Sequence, residues 1–255
     1  MIHPTAIIDP GARLAPDVKV GPYSMIGPDV VIGPGCVIES HVVIKGPTSI
    51  GANNRFFQFA SIGEECQDKK YHGESTRLVI GDNNIFRESV TVHRGTAQDN
   101  WETRVGSDNL VMAYAHIAHD CVIGDHCVLA NSATLAGHVT VGDHAIIGGL
   151  AAIHQFCRIG SHSMIGGLAA VSMDIVAYTI ANGNPARTHG INIEGLRRRG
   201  FDADVISKLR EAYKLVFRSN RKLAECIDIL EEGETGPELQ LFVDSLKYSS
   251  RGITR

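Results

Sequence analysis

An aliphatic residue returns at every sixth position along most of this chain, and that spacing restricts the fold more than any other feature. Ile8, Leu14, Val20, Ile26, Ile32, Ile38, Ile44 and Ile50 keep the step, and only Phe56 departs from it before Ile62. The series resumes at Ile80, Phe86 and Val92, then runs from Val105 through Ile117, Ile123, Leu135 and Ile153 to Val171 without a miss. Four residues after the aliphatic one comes a small side chain, such as Cys121, Cys127, Ala133 or Ala145. A period of six matches neither a helix nor a plain two-faced strand. Pro4, Pro10, Pro16, Pro22, Pro28 and Pro34 also lie six apart, a frequency no helix tolerates. The pattern predicts a strand that turns a corner every six residues, with the aliphatic side chain inside and Gly or Pro shaping the corner. Three such sides close a triangular coil, and coils stack about 4.8 Å apart through backbone hydrogen bonds. The expected class is mainly β, a parallel β-helix.

Two segments leave the register, residues 63–79 (GEECQDKKYHGESTRLV) and 93–104 (HRGTAQDNWETR). Both are polar and read as loops. Counting corners through the gaps puts Ile62, Val92 and Ile117 at one corner, so both loops are expected to leave from one edge. After Asn184-Pro185 the repeat stops. Between about 201 and 230, Ile206, Leu209, Tyr213, Val216, Phe217, Leu223 and Ile227 are spaced as in an amphipathic helix. Residues 231–237 (EEGETGP) read as a turn, and a shorter helix is expected near 239–246. The chain therefore divides into an expected β-helix domain, 1–184, and a C-terminal α-helical domain, 185–255.

The net charge of -4 gives no overall pull toward nucleic acid or a membrane surface. The stretch 187–222 differs, with ten basic and four acidic residues. No apolar run approaches the roughly 18 residues that cross a bilayer, and no leader pattern opens the sequence. None of the six cysteines forms a CxxC pair, and most fall at core positions, so free thiols in a reducing, cytoplasmic setting are expected.

Stacking successive coils brings chemistry together. His119 falls under Gly137 and then Gln155, Asp120 under His138 and Phe156, and Ala118 under Ala136 and His154. His119, Asp120, His138, His154 and Gln155 thus gather at one edge, where the usual glycine has been replaced. The next corner keeps Gly124, Gly142 and Gly160. His126, His144 and His162 follow the repeat at that corner and read as exposed turn residues, weaker candidates than residues that break the repeat. A neutral His beside a carboxylate makes a general base. Adjacent side chains on a strand point apart, so Asp120 reaches His119 only if the corner turns it back. No Ser or Cys stands in a nucleophile motif, which suits direct transfer. The Gly137 N–H, one coil above His119, is placed to stabilise an oxyanion. No metal or cofactor is called for.

The repeat resembles the hexapeptide-repeat family, whose fold is a left-handed parallel β-helix; the hand comes from that resemblance alone. The motifs AHIAHDC, LAGHV, IHQFC, QDKKY, VTVHRGT and NIEGLRRRGF together resemble the UDP-N-acetylglucosamine O-acyltransferases of lipid A biosynthesis, over nearly the whole chain. The resemblance implies transfer of an (R)-3-hydroxyacyl group from acyl carrier protein to the 3-hydroxyl of UDP-N-acetylglucosamine, in a homotrimer with sites between neighbouring prisms. It implies His119 as base, Asp120 as its assistant and Gly137 as oxyanion donor. His138, Gln155, Asp68 and Lys70 would position the sugar, with His116 and His154 in support. Asn192, Glu194, Arg198 and Arg199 would hold the nucleotide, and Gly167 would leave the acyl groove open to a longer chain. Two residues depart from the family pattern: His189 stands where an aromatic or apolar side chain is expected, and Arg158 where an apolar one is. Rival readings are a zinc lyase like the γ-class carbonic anhydrases, an acetyl-CoA-dependent hexapeptide acetyltransferase, and an inert structural β-helix. The first leaves the QDKKY loop and the basic tail motif without a purpose, and the last predicts no broken edge.

Overall fold

The structure, a computed structural model, describes residues 1–233 and 236–255. Short strands build three sheets, parallel except for one C-terminal strand, one for each side of a triangular prism. The first has nine strands, from Ile7–Ile8 to Ala170–Val171. The second has eight, from Arg13–Leu14 to Arg158–Ile159. The third has ten; it starts at Lys19–Val20 and ends with Thr179–Asn182 and the antiparallel Arg187–Ile191. The register follows the repeat: Ile117 pairs with Leu135, Leu135 with Ile153, and Ile153 with Val171. Their side chains are fully buried or nearly so. Cys121, Cys127 and Cys157 fill small inner positions as free thiols. Burial pushes the Cys121 and Cys127 thiols up to about 12.

The corners depend on backbone that L-residues rarely adopt. At most corners the third residue after the core aliphatic has a left-handed conformation, as at Asp120 (φ 57), His126 (φ 56), His138 (φ 63) and Phe156 (φ 66). Asp and His accept it more readily than most residues. The coil below holds it in place: His138 N–H donates to His119 O at 3.0 Å, and Phe156 N–H to Gly137 O at 3.1 Å.

Strands Ser61–Glu64, Thr91–His93 and His116–Ile117 are neighbours in the nine-stranded sheet. The polar segments following the first two therefore leave from the edge that carries His119. In the tail, the single amphipathic stretch expected over about 201–230 is two helices. After α1 (Ile193–Arg198), α2 spans Ala203–Arg218 and α3 spans Leu223–Glu232. The backbone turns extended at Ser219 (ψ 154), where Ser219, Asn220, Arg221 and Lys222 offer no apolar residue to continue the buried stripe. The turn expected at 231–237 begins later, because Glu231 and Glu232 still belong to α3; Glu234 and Thr235 lie outside the described residues. α4 (Pro237–Lys247) starts with proline in its first turn, where the missing N–H costs nothing.

Candidate active site

The lost glycine marks a corner that has opened. At the neighbouring edge no side chain would fit: a Cβ on Gly124 would sit 2.1 Å from Asp143 Oδ1, and one on Gly160 2.3 Å from Ala177 N. There the carboxylate of the next coil also takes the corner N–H. Ser107 N–H donates to Asp125 Oδ1 at 2.6 Å, and Asp125 N–H to Asp143 Oδ1 at 2.8 Å. Gly137 is the matching position at the His119 edge, and Gln155, not Asp, stands above it. Among the described residues no acceptor is paired with the Gly137 N–H. A buried donor without a partner is costly unless something else is meant to use it.

The left-handed backbone at Asp120 folds its carboxylate back around the corner, and this overcomes the strand rule that separates neighbouring side chains. His119 Nδ1 lies 2.8 Å from Asp120 Oδ2. The carboxylate is fully buried. Thr96, from the second loop, donates its N–H to Oδ1 at 2.9 Å and its hydroxyl to Oδ2 at 2.7 Å. The Asp120 N–H donates to Thr103 Oγ1 at 2.8 Å. Burial alone would raise the Asp120 carboxyl, but the bonds from His119 and Thr96 outweigh it and hold the group below the usual carboxylate value. With Nδ1–H given to Asp120, His119 Nε2 keeps its lone pair. The ring lies over Gly137, where a Cβ would come within 2.5 Å of Cε1 and 2.6 Å of Nε2.

His138 packs edge-on against His119, with centroids 5.0 Å apart at 90°, and flat on Phe156 at 4.4 Å. Its Nδ1 meets Asp99 Oδ2 at 2.8 Å. A cleft of about 220 Å³ opens among Asp99, Asn100, Asp120, His138, Phe156 and Arg158. One coil below, His116 Nδ1 is 2.7 Å from Thr91 Oγ1. Burial, reinforced by neighbouring imidazoles, lowers His116 and brings the adjacent His93 down to about 4. His154 and Gln155 are exposed at the upper rim, and His154 lines a second cleft of about 350 Å³. Lys70 N–H donates to Asp68 Oδ1 at 2.9 Å, and Gln98 Nε2 donates to Lys70 O at 3.4 Å, so the first loop leans on the second. Ligand atoms of His119, Asp120 and His138 lie within 4.8 Å of one another, a spacing open to a metal ion. The Asp120 oxygens, however, already accept three hydrogen bonds.

A model of bacterial transferase hexapeptide repeats matches residues 1–34, 11–46 and 102–137, and a model of the second domain of UDP-N-acetylglucosamine O-acyltransferase matches 174–254. The solved structure of LpxA from Acinetobacter baumannii is 55% identical, with TM-score 0.98 and coverage of 100% of this chain and 99% of that one. UDP-N-acetylglucosamine O-acyltransferase (LpxA) from Moraxella catarrhalis is 50% identical, covers 100% and 99%, and has TM-score 0.97. The Arabidopsis UDP-N-acetylglucosamine acyltransferase is 35% identical at TM-score 0.87, with 100% of both chains covered. This chain belongs to the UDP-N-acetylglucosamine O-acyltransferase family. It shares that family's left-handed β-helix of hexapeptide repeats. The relationship favours neither the zinc-lyase nor the acetyl-CoA reading.

The tail residues of this acyltransferase do not join His119 within one chain. Asn192 Nδ2 donates to His162 O at 3.0 Å, and Arg199 Nη2 to His144 O at 2.8 Å. Glu194 pairs with Arg198 at 3.0 Å. Asn192 and Arg199 therefore sit at the neighbouring edge, against the backbone of His162 and His144, while Glu194 and Arg198 pair with each other on the exposed face of α1. The ladder His126, His144 and His162 corrects an expectation, because only His126 is exposed. The three rings stack at 4.7 Å spacing, and Tyr178 and Phe201 cover the upper end. Burial brings His162 down to about 4. Gly167 lies at the third edge above Gly149, whose carbonyl oxygen a Cβ would approach to 3.2 Å. Thr96 and Asp99 escaped the sequence reading, since a loop outside the repeat carries no register to place them; Thr103 escaped it because the strand Glu102–Val105 begins inside the segment read as a loop.

Proposed function

We propose that this chain transfers an (R)-3-hydroxyacyl group from acyl carrier protein to the 3-hydroxyl of UDP-N-acetylglucosamine, the opening step of lipid A biosynthesis. His119 Nε2 takes the proton of the sugar 3-hydroxyl as its oxygen attacks the thioester carbonyl. Asp120 holds the ring by Nδ1 and stabilises the imidazolium that forms. The Gly137 N–H donates to the carbonyl oxygen as it gains charge. The tetrahedral intermediate then collapses, the carbon–sulfur bond breaks, and His119 returns the proton to the departing thiolate. The observation carrying this reading is the His119–Asp120 pair lying over Gly137, whose N–H has no acceptor among the described residues.

His138, Gln155, Asp68 and Lys70 position the sugar, with His116 and His154 beside them. Asn192 and Glu194 meet the nucleoside, and Arg198 and Arg199 meet the diphosphate, which guanidinium groups suit. The base, the nucleotide residues and Gly167 occupy three different edges of one prism, so a complete cleft needs neighbouring chains. A homotrimer sets one chain's His119 edge against another's tail. Residues 1–184 then supply the chemistry, and 185–255 supply nucleotide recognition and a basic surface that steers the acidic carrier. Gly167 leaves room for a long acyl chain. No described helix is long and apolar enough to cross a membrane, and the reaction is assigned to the cytoplasm, where both substrates are free.

Purified protein is incubated with 3-hydroxyacyl carrier protein and UDP-N-acetylglucosamine, and the product is read by mass. A sugar nucleotide heavier by one hydroxyacyl group is expected, while acetyl-CoA yields no acetylated product. His119→Ala lowers turnover roughly 10²- to 10⁴-fold, the usual worth of a general base. Normal turnover in that variant ends the assignment of the base.

A further inference from the structure

His138 has two carboxylate neighbours, and only one is within hydrogen-bond range. Its Nδ1 is 2.8 Å from Asp99 Oδ2, whereas its Nε2 is 3.9 Å from Asp120 Oδ2. Asp99 arrives on the loop 93–104. That loop is anchored three residues earlier, where Thr96 donates twice to Asp120. The His138 side chain is only 11% exposed, held flat by Phe156 and edge-on by His119. Packing of this kind fixes the ring plane and leaves one freedom, a half-turn that exchanges ring nitrogens for carbons. The Asp99 carboxylate removes that freedom, because only one of the two orientations places an N–H against it.

We propose that Asp99 is a positioning residue: it accepts the Nδ1–H of His138 and thereby directs Nε2 toward the His119–Asp120 pair, as a lone-pair acceptor for a sugar hydroxyl. The inference rests on the acyltransferase reading and on His138 meeting the sugar. Asp99 itself touches no reacting atom. Its carboxylate is 38% exposed, so its effect is orientation more than electrostatic binding energy. Loop and ring are joined as well: when Thr96 seats the loop on Asp120, Asp99 is carried into reach of His138.

The test is steady-state kinetics with varied UDP-N-acetylglucosamine on the full-length wild type, Asp99→Ala, Asp99→Asn, His138→Ala and the Asp99→Ala/His138→Ala double variant. Asp99→Ala is expected to raise the KM for the nucleotide sugar about 10-fold, between the worth of an exposed ion pair and that of a charged hydrogen bond, with kcat changed less than about 3-fold. Asp99→Asn keeps an oxygen acceptor and recovers most of that loss. In the His138→Ala background, Asp99→Ala adds less than about twofold, since two residues acting through one contact are not additive. Three results each overturn the inference: an unchanged KM in Asp99→Ala, no recovery by Asn, or the full 10-fold loss persisting in the double variant. Wild-type kinetics in His138→Ala would remove the sugar contact and this inference together. A crippled His138→Ala beside a normal Asp99→Ala would remove the inference alone.

Discussion

Replacing Gly137 with alanine adds one methyl group at the point where the proposed base and oxyanion donor meet. The backbone at Gly137 is not in the left-handed region, so alanine introduces no conformational strain there. The perturbation is steric. The added Cβ falls 2.5 Å from His119 Cε1 and 2.6 Å from Nε2, about 1 Å inside the optimal 3.5–4.0 Å separation of nonbonded heavy atoms. Backbone holds Gly137 in the stack, so the imidazole must give way. A 1 Å misplacement of a reacting group costs about 10² in rate, equivalent to about 2.7 kcal/mol of barrier. Stability should suffer far less, because the His119 side chain is 12% exposed and has an exit toward solvent. Gly190→Ala serves as the control: nothing lies within 4 Å of the added Cβ. The assay measures kcat with acyl carrier protein and UDP-N-acetylglucosamine, alongside thermal melting. Gly137→Ala is expected to lose about 10² in kcat while melting within a few degrees of wild type, and Gly190→Ala to change neither. A Gly137→Ala enzyme with kcat within about threefold of wild type would refute the placement of the His119 ring over Gly137 as the catalytic arrangement.

Three further outcomes follow from the same geometry. Thr96→Val leaves Asp120 Oδ2 one donor short in a buried site, and should cost about 1–3 kcal/mol of stability by denaturant unfolding together with a fall in kcat. Arg199→Ala should mainly raise the KM for the nucleotide sugar, and an unchanged value speaks against its contact with the diphosphate. His93 and His162 are held near 4 by burial, below the ordinary imidazole value, so each is neutral in the folded chain while the unfolded chain protonates. Their contribution is intact above about pH 6.5 and is lost as pH falls toward 4, so the melting temperature should decline across that window. His162→Gln should flatten the decline, and an unchanged slope would show that His162 does not drive it.

Much of the arrangement of the candidate site was legible because the repeat acts as a coordinate system. Adding one coil to His119 lands on Gly137, and the structure keeps that register in the strands on either side, Ile117 with Leu135 and Val122 with Thr140. The loss of glycine at residues 118, 136 and 154 marked a different edge for the same reason: a corner packed as tightly as Gly124 or Gly160 has no room even for a Cβ. The His119–Asp120 contact was not legible, since it depends on a left-handed backbone at Asp120 that no residue-type rule demands there. Thr96 and Asp99 were hidden too, because loop residues follow no period. The ladder from His126 to His162 misled in the opposite way. Its turn pattern predicts exposure, but the tail covers His144 and His162 through Arg199, Asn192 and Phe201.

By itself the sequence determined the prism, its register and the edge that departs from the rule, because a six-residue repeat places each residue relative to the coil above and below it. Tertiary structure alone decided which groups meet across that edge. A hydrogen bond at 2.8 Å depends on how a corner folds back and on where a distant loop is anchored, and both are outcomes of packing between segments that sequence spacing does not relate.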